Sequence, residues 1–176
     1  MAENSTFDEL LRDQVRNGLT AAHQYLAAAV YFDAQDLPEL AAQTYARSTA
    51  NHGHAMRMVQ YLLDRDVPFT IGGLDEVRPD FDSPRAAIAF LLDRERVTTA
   101  QLSGLVAAAR VANDFLGEQF MQWFLGEQVD DVAGMTTLLT VLDRQDNLFD
   151  VEEFIRRELR GKAPVDTTAP RMAGAS

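Results

Sequence analysis

The chain has 176 residues, contains no cysteine and carries a formal net charge of −11 at pH 7. This length is typical of one domain with a substantial core, and the lack of cysteine excludes disulfides and thiolate metal sites. The negative charge disfavours nucleic acid as a partner, and the sequence has neither a membrane-spanning run nor an apolar signal segment, so we expect a cytoplasmic protein with no membrane partner.

Two helices are predicted in the first third of the chain. The segment Thr6–Glu9 (TFDE) has the spacing of a capping box and begins a helix that continues to about Phe32. A second such pattern at Asp36–Glu39 (DLPE) begins a helix that ends near Asp66, with Pro38 tolerated in its first turn. Because only a few residues separate the two helices, they are predicted to pack as antiparallel neighbours.

A long extended connection is predicted over Val67–Asp82, which contains two prolines and a Gly-Gly pair. Ser83 and Pro84 then supply an N-cap and a first-turn proline for a third helix. The pair Asn113-Asp114 marks a break, after which a fourth helix runs to about Leu142. Two helical hairpins joined by one long crossover predict an all-α four-helix bundle.

A short fifth helix is predicted over residues 148–159 (LFDVEEFIRREL), with Asn147 as its N-cap. Its acids Glu152 and Glu153 are expected to be solvated and to have no role. Residues 161–176 are rich in small residues and contain two prolines, so they are predicted to form a flexible tail. We therefore place the folded domain at residues 1–160.

Acidic residues interrupt the apolar stripe of the fourth helix. One helical face combines large aromatic residues with carboxylates, namely Phe120, Trp123, Phe124, Glu127 and Asp131, with Asp130 at its edge. The aromatic residues predict that this face is buried, and a buried carboxylate requires a cation or a proton. The stripe therefore indicates a metal site inside the bundle.

The other helices supply an incomplete set of further ligands. The third contributes Glu95, the second contributes Asn51 with His54 at i+3, and the first presents Gly18. Two-metal bundle sites commonly use Glu-x-x-His, which is Asn-x-x-His here. A neutral amide offers one weak oxygen, so at most one tightly held cation is expected. The alternative is a hydrogen-bonded polar cluster without metal, in which His54 is a core histidine.

Four segments resemble bacterial non-haem ferritins of the actinobacterial type: TAAHQY, YFDAQDLPEL, MVQYLLDRDV and FLGEQFMQWFLGEQVDD. The resemblance covers about Phe7 to Leu159. It implies a ferritin-like four-helix bundle with a long crossover between the second and third helices and a short C-terminal fifth helix. It also implies a hollow 24-mer cage that stores iron.

The resemblance assigns a role to individual positions. The ligands of the family's iron-oxidation centre are matched by His54, Glu95, Glu127, Asp130 and Asp131. Tyr25 and Gln128 match residues beside that centre. Gly18 and Asn51 stand where the family has a terminal and a bridging glutamate, so the resemblance implies impaired or absent ferroxidase activity, with one metal per subunit at most.

Three further positions match functional residues of the family. His52 stands where haem-binding relatives carry a methionine that ligates haem, but a surface or subunit contact is the expected role. Glu118 and Gln122 match a pore at a three-fold axis, against the alternative of a solvated helix face.

Three functions therefore remain open. The first is an iron-storing cage subunit with little oxidation of its own, which assembles alone or with a catalytic subunit. The second is a slow ferroxidase that uses the remaining ligands. The third is a structural or cargo-binding cage without iron chemistry.

Overall fold

A computed structural model describes residues 6–145, 147–159, 161 and 166–175. The helices within these residues are α1 (Phe7–Ala34), α2 (Pro38–Asp64), α3 (Pro84–Val111), α4 (Phe115–Arg144) and α5 (Leu148–Phe154), which continues into a π-helical turn (Ile155–Leu159). No strand occurs in the described part of the chain, so the all-α prediction is confirmed. None of these helices is long and apolar enough to cross a membrane.

The bundle consists of two helical hairpins, in which α1 packs on α2 and α3 packs on α4, while α1 also contacts α3. The crossover is an extended segment over residues 67–81, as predicted. Two apolar clusters fill the bundle: one contains Phe32, Ile88 and Leu138, and the other contains Leu11 and Leu62. On each long helix, the residues between these clusters hold the polar groups described below.

Most helix starts follow the predicted caps. Thr6 accepts from the Glu9 backbone while the Glu9 side chain accepts from the Thr6 backbone, so the first capping box is confirmed. Ser83 and Asn147 also cap their helices as predicted. The second capping box is wrong, because α2 has Leu37 as its N-cap residue and no side-chain cap of its own.

A residue of α5 caps α2 instead. The carboxylate of Glu152 accepts hydrogen bonds from the backbone N–H groups of Glu39, at 2.7 Å, and Leu40, at 2.9 Å. The expectation that Glu152 has no role is therefore wrong. The reason is physical: this cap joins residues more than a hundred positions apart, and a local sequence pattern cannot reveal it.

The described part of the predicted flexible tail contacts the bundle. The indole N–H of Trp123 donates to Asp166 at 2.7 Å, and Arg57 donates to the backbone oxygen of Pro170 at 2.7 Å. The amino-acid composition of the tail does not indicate these contacts. The predicted domain boundary at residue 160 lies outside the described residues.

Candidate metal centre

The polar middle of the bundle surrounds a cavity of about 20 Å³. Its wall includes residues from all four long helices, among them Gln14, Gly18, Asn51, His54, Thr98 and Gln128. A space of this volume holds about one water molecule. The side chains around it, rather than an open metal pocket, therefore decide what this centre can bind.

Glu95 has neutral partners in the centre. Its side chain is buried, and one carboxylate oxygen accepts from the Tyr25 hydroxyl while the other accepts from Gln128 Nε2 at 2.7 Å. Burial raises the pKa of Glu95, although the hydrogen bond from Tyr25 acts in the opposite direction. The two residues that the resemblance places beside the centre thus satisfy this acid directly.

Asp131 is paired with a cation from the protein itself. Arg47 Nη1 of α2 donates to Asp131 Oδ1 of α4 at 2.7 Å, and their side chains are only 18% and 25% exposed. Burial raises the pKa of Asp131, while the charge of Arg47 lowers it. Arg47 was not among the residues predicted from the sequence, although its position four residues before Asn51 places it on the same face of α2 and could have indicated it.

His54 lies between aromatic rings. Its ring contacts Trp123 and Phe124 edge-on, with centroid distances of 5.4 and 5.9 Å. Burial and, to a smaller extent, the nearby charge of Arg57 lower the pKa of His54 to about 4. The imidazole is therefore neutral at pH 7, and its Nε2 atom lies 3.9 Å from Glu127 Oε2, which is too far for a hydrogen bond.

The remaining predicted ligands lie towards solvent. The Glu127 side chain is 43% exposed, and burial together with the neighbouring acids, above all Asp131, raises its pKa. Asp130 is exposed. Within the described residues, no three His, Asp or Glu side chains form a group that could hold a metal ion. The assignment of the five residues as ligands of a cation stays a prediction.

Gly18 and Asn51, the two positions that lack acids, are occupied in other ways: one is closely packed and the other is hydrogen-bonded. A Cβ atom on Gly18 would lie 3.2 Å from the Cβ of Ala55, because α1 and α2 approach closely at this point. The side chain of Asn51 donates to the backbone oxygen of Arg47 at 3.0 Å. Neither position contributes a negative charge to the centre.

The predicted pore and haem positions lie on the surface of the subunit. Glu118 accepts from Arg110 Nε at 2.7 Å, and Gln122 is exposed. His52 is also exposed, on an open groove between α1, α2 and the crossover. Their predicted roles require neighbouring subunits or a ligand and stay predictions.

Comparisons with known proteins agree with this architecture. Residues 8–145 match the family model described as a ferritin-like domain. A ferritin BfrB of Mycolicibacterium smegmatis is 52% identical over 174 residues, which covers 98% of this chain and 96% of that protein. A bacterial non-heme ferritin of Staphylococcus aureus is 28% identical over 136 residues, covering 77% and 82% of the two chains. A solved open pore ferritin from Archaeoglobus fulgidus superposes with a TM-score of 0.81 at 25% identity, covering 85% and 93%.

Proposed function

The chain belongs to the ferritin family, and from this premise we propose that it is a cage-forming subunit for iron storage with little or no ferroxidase activity. The similarity to proteins named ferritin extends over nearly the whole chain, which supports the storage role. The contacts of the polar residues in the centre of the bundle support the lack of ferroxidase activity.

The single observation that carries the proposal is that the polar groups of the centre are engaged with one another. Glu95 is bound by neutral donors, and Asp131 is bound by a guanidinium. A pair of ferrous ions requires several anionic oxygen ligands that are free to coordinate. With Gly18 and Asn51 in place of acids, the donor set of this chain does not fit such a pair.

Assembly into a cage is supported by the surface of the single subunit. Large apolar side chains at the turn between α3 and α4 are largely exposed: Val111 at 79%, Phe115 at 73% and Leu116 at 73%. Contiguous exposed apolar groups mark interaction surfaces in soluble proteins. A closed shell of identical subunits, or of these mixed with a catalytic ferritin subunit, would cover them.

Two measurements test the proposal. Mass measurement in solution should find a large closed assembly, and a stable monomer or dimer at micromolar concentration would refute the cage. In the presence of the iron-free cage, ferrous iron should be oxidised at nearly the same rate as in buffer without protein. Oxygen consumption measures this rate. A rapid oxidation phase that saturates with a ferrous pair per subunit would refute the loss of activity, and a slow rate clearly above that of buffer alone would favour the slow ferroxidase.

A further experiment separates storage from a purely structural cage. Ferrous iron supplied together with a catalytic ferritin should be retained by mixed cages as a ferric mineral. The relevant readout is iron that remains with the protein after gel filtration. Cages of this chain that never retain iron under either condition would favour the structural cage.

A further inference from the structure

We propose that Arg47 is a built-in counter-cation that closes the centre to divalent metal ions, and that Gly134 is the residue that makes room for it. The inference rests on the proposed function, because it explains why the remaining acids do not hold a metal. It assigns a specificity-determining role to two residues that the resemblance does not single out.

The guanidinium of Arg47 lies beside an acid that the resemblance assigns to a metal. Arg47 reaches from α2 to α4 and donates to Asp131 Oδ1, one of the oxygens that the resemblance assigns to a metal. Guanidinium is always protonated in proteins, so its positive charge at this carboxylate is permanent. A divalent cation that approached Asp131 would lose one ligand oxygen and would meet a like charge in a largely buried position.

Gly134 leaves space for this guanidinium beside Asp131. Gly134 follows Asp131 by three positions in α4 and therefore lies on the same side of the helix. A Cβ atom built on Gly134 would lie only 2.3 Å from Arg47 Nη2, so any other residue there would displace the guanidinium. The arginine and the glycine thus fit together as a pair.

Backbone geometry does not explain this glycine. Gly134 lies inside a regular helix, and its φ is not positive, so the backbone accepts any L-residue. Glycine in a helix interior lowers stability relative to alanine. Gly126, in the same helix, has open space around its Cβ position and provides a matched comparison without a neighbouring guanidinium.

The positive charge of Arg47 lies among several acids in the centre of the bundle. The hydrogen bond to Asp131 holds the guanidinium close enough to the buried carboxylate of Glu95 for the two charges to interact. The other acids around this group are Asp130, Glu127 and Asp166, and Arg57 is a second nearby cation. A fixed cation therefore compensates acids that would otherwise require a proton or a metal.

A different result is expected if Arg47 and Asp131 form only a structural ion pair. Loss of such a pair would lower stability and leave metal binding unchanged. Loss of a counter-cation would expose Asp131, with Glu127 and His54 nearby, to a metal ion from solution. Metal binding is therefore the readout that separates the two roles.

The experiment uses the assembled full-length protein and cobalt(II) as the probe. Equilibrium dialysis measures the dissociation constant, and the visible absorption of cobalt distinguishes ligation by protein side chains from loosely held hydrated ions. Arg47→Gln should lower the dissociation constant by at least roughly tenfold, because it removes a nearby like charge. Arg47→Lys keeps the charge and should remain close to the parent protein.

The glycine variants test the same idea without changing any charge. Gly134→Ala should push the guanidinium away from Asp131 and shift cobalt binding in the same direction as Arg47→Gln. Gly126→Ala should leave cobalt binding unchanged. The double variant Arg47→Gln with Asp131→Asn should gain no cobalt, because the acid that the arginine balances is then absent.

The outcomes are decisive in each direction. If Arg47→Gln binds cobalt no better than the parent, Arg47 does not close the centre and the inference is overturned. If that variant fails to assemble, Gly134→Ala decides, since its unchanged cobalt binding would overturn the inference equally. Rapid iron oxidation by the parent would instead refute the proposed function, whereas a silent parent with an equally silent Arg47→Gln variant would refute only this inference.

Discussion

The Glu152 carboxylate of α5 accepts a 2.9 Å hydrogen bond from the backbone N–H of Leu40 in α2. It accepts a second, of 2.7 Å, from the N–H of Glu39. These two N–H groups belong to the first turn of α2, which has no cap of its own and begins at Pro38. A negative charge at this position also interacts favourably with the dipole of α2, so α5 stabilises the start of α2.

Replacement of this cap should therefore destabilise the protein. Glu152→Ala should lower the free energy of unfolding by about 1 kcal/mol, and hence the melting temperature by roughly 2–4 °C. The neighbouring variant Glu153→Ala is the control, because within the part of the chain that the structure describes Glu153 pairs only with Arg156, at the surface. Differential scanning calorimetry measures both, and equal effects of the two variants would contradict the capping role.

The buried imidazole should produce a pH dependence of stability. The pKa of His54 is about 4 in the folded protein and about 6.5 in the unfolded chain, so the unfolded chain binds more protons between these values. The stability contributed by His54 is therefore complete above pH 6.5 and is lost as the pH falls towards 4, by an amount on the order of 3 kcal/mol. The raised pKa values of Glu95 and Asp131 act with the opposite sign, because the stability that they contribute is lost as the pH rises from their ordinary values through their raised values in the folded protein.

His54→Gln isolates the histidine contribution. Melting temperatures measured between pH 7 and pH 4.5 should fall less steeply for this variant than for the parent. His23→Gln, which replaces an exposed histidine of α1, should leave the parent slope unchanged. Parallel curves for the parent and His54→Gln would show that the buried imidazole does not set the acid sensitivity.

The ion pair of Glu118 with Arg110 allows a two-sided test of the predicted pore. Glu118→Gln should slow cobalt uptake at low ionic strength, since it removes negative charge from a pore mouth. Arg110→Gln should accelerate uptake, because it leaves the Glu118 charge uncompensated. Stopped-flow measurement of uptake at two salt concentrations checks both, and a pair of variants that both match the parent would exclude Glu118 as an entry residue.

Restoring the two missing acids should rebuild part of the oxidation centre. Gly18→Glu combined with Asn51→Glu should accelerate ferrous oxidation, and each single change should do less, because a bridging ligand requires a terminal one. The Cβ at position 18 must fit 3.2 Å from that of Ala55, so α1 and α2 have to separate slightly. Addition of Arg47→Gln should increase the gain further.

Gly104→Glu provides the control for added charge, because the space around its Cβ position is open. The oxidation rate and the number of cobalt ions bound per subunit are the two readouts. A parent that already oxidises iron as fast as the double variant would show that positions 18 and 51 do not limit the rate.

Local sequence patterns determined the architecture of this protein. Helix starts such as Thr6 and Ser83 depend on hydrogen bonds within one turn, and the crossover follows from its prolines and glycines, so both are visible in the sequence. The family resemblance is carried by continuous segments of sequence, and the lack of acids at Gly18 and Asn51 is visible at the individual positions. The sequence therefore determined the fold class and the lack of two acids in the centre of the bundle.

The tertiary structure decided which groups balance the acids that remain in the centre of the bundle. Arg47 and Asp131 are 84 positions apart, and Glu152 and Leu40 are 112 positions apart, so neither pair leaves a local pattern. Whether Arg47 reaches an acid depends on which faces of α2 and α4 meet and on the space left by Gly134. Buried charges take whichever partner packing brings within hydrogen-bond distance, and that choice is made only when the helices are assembled.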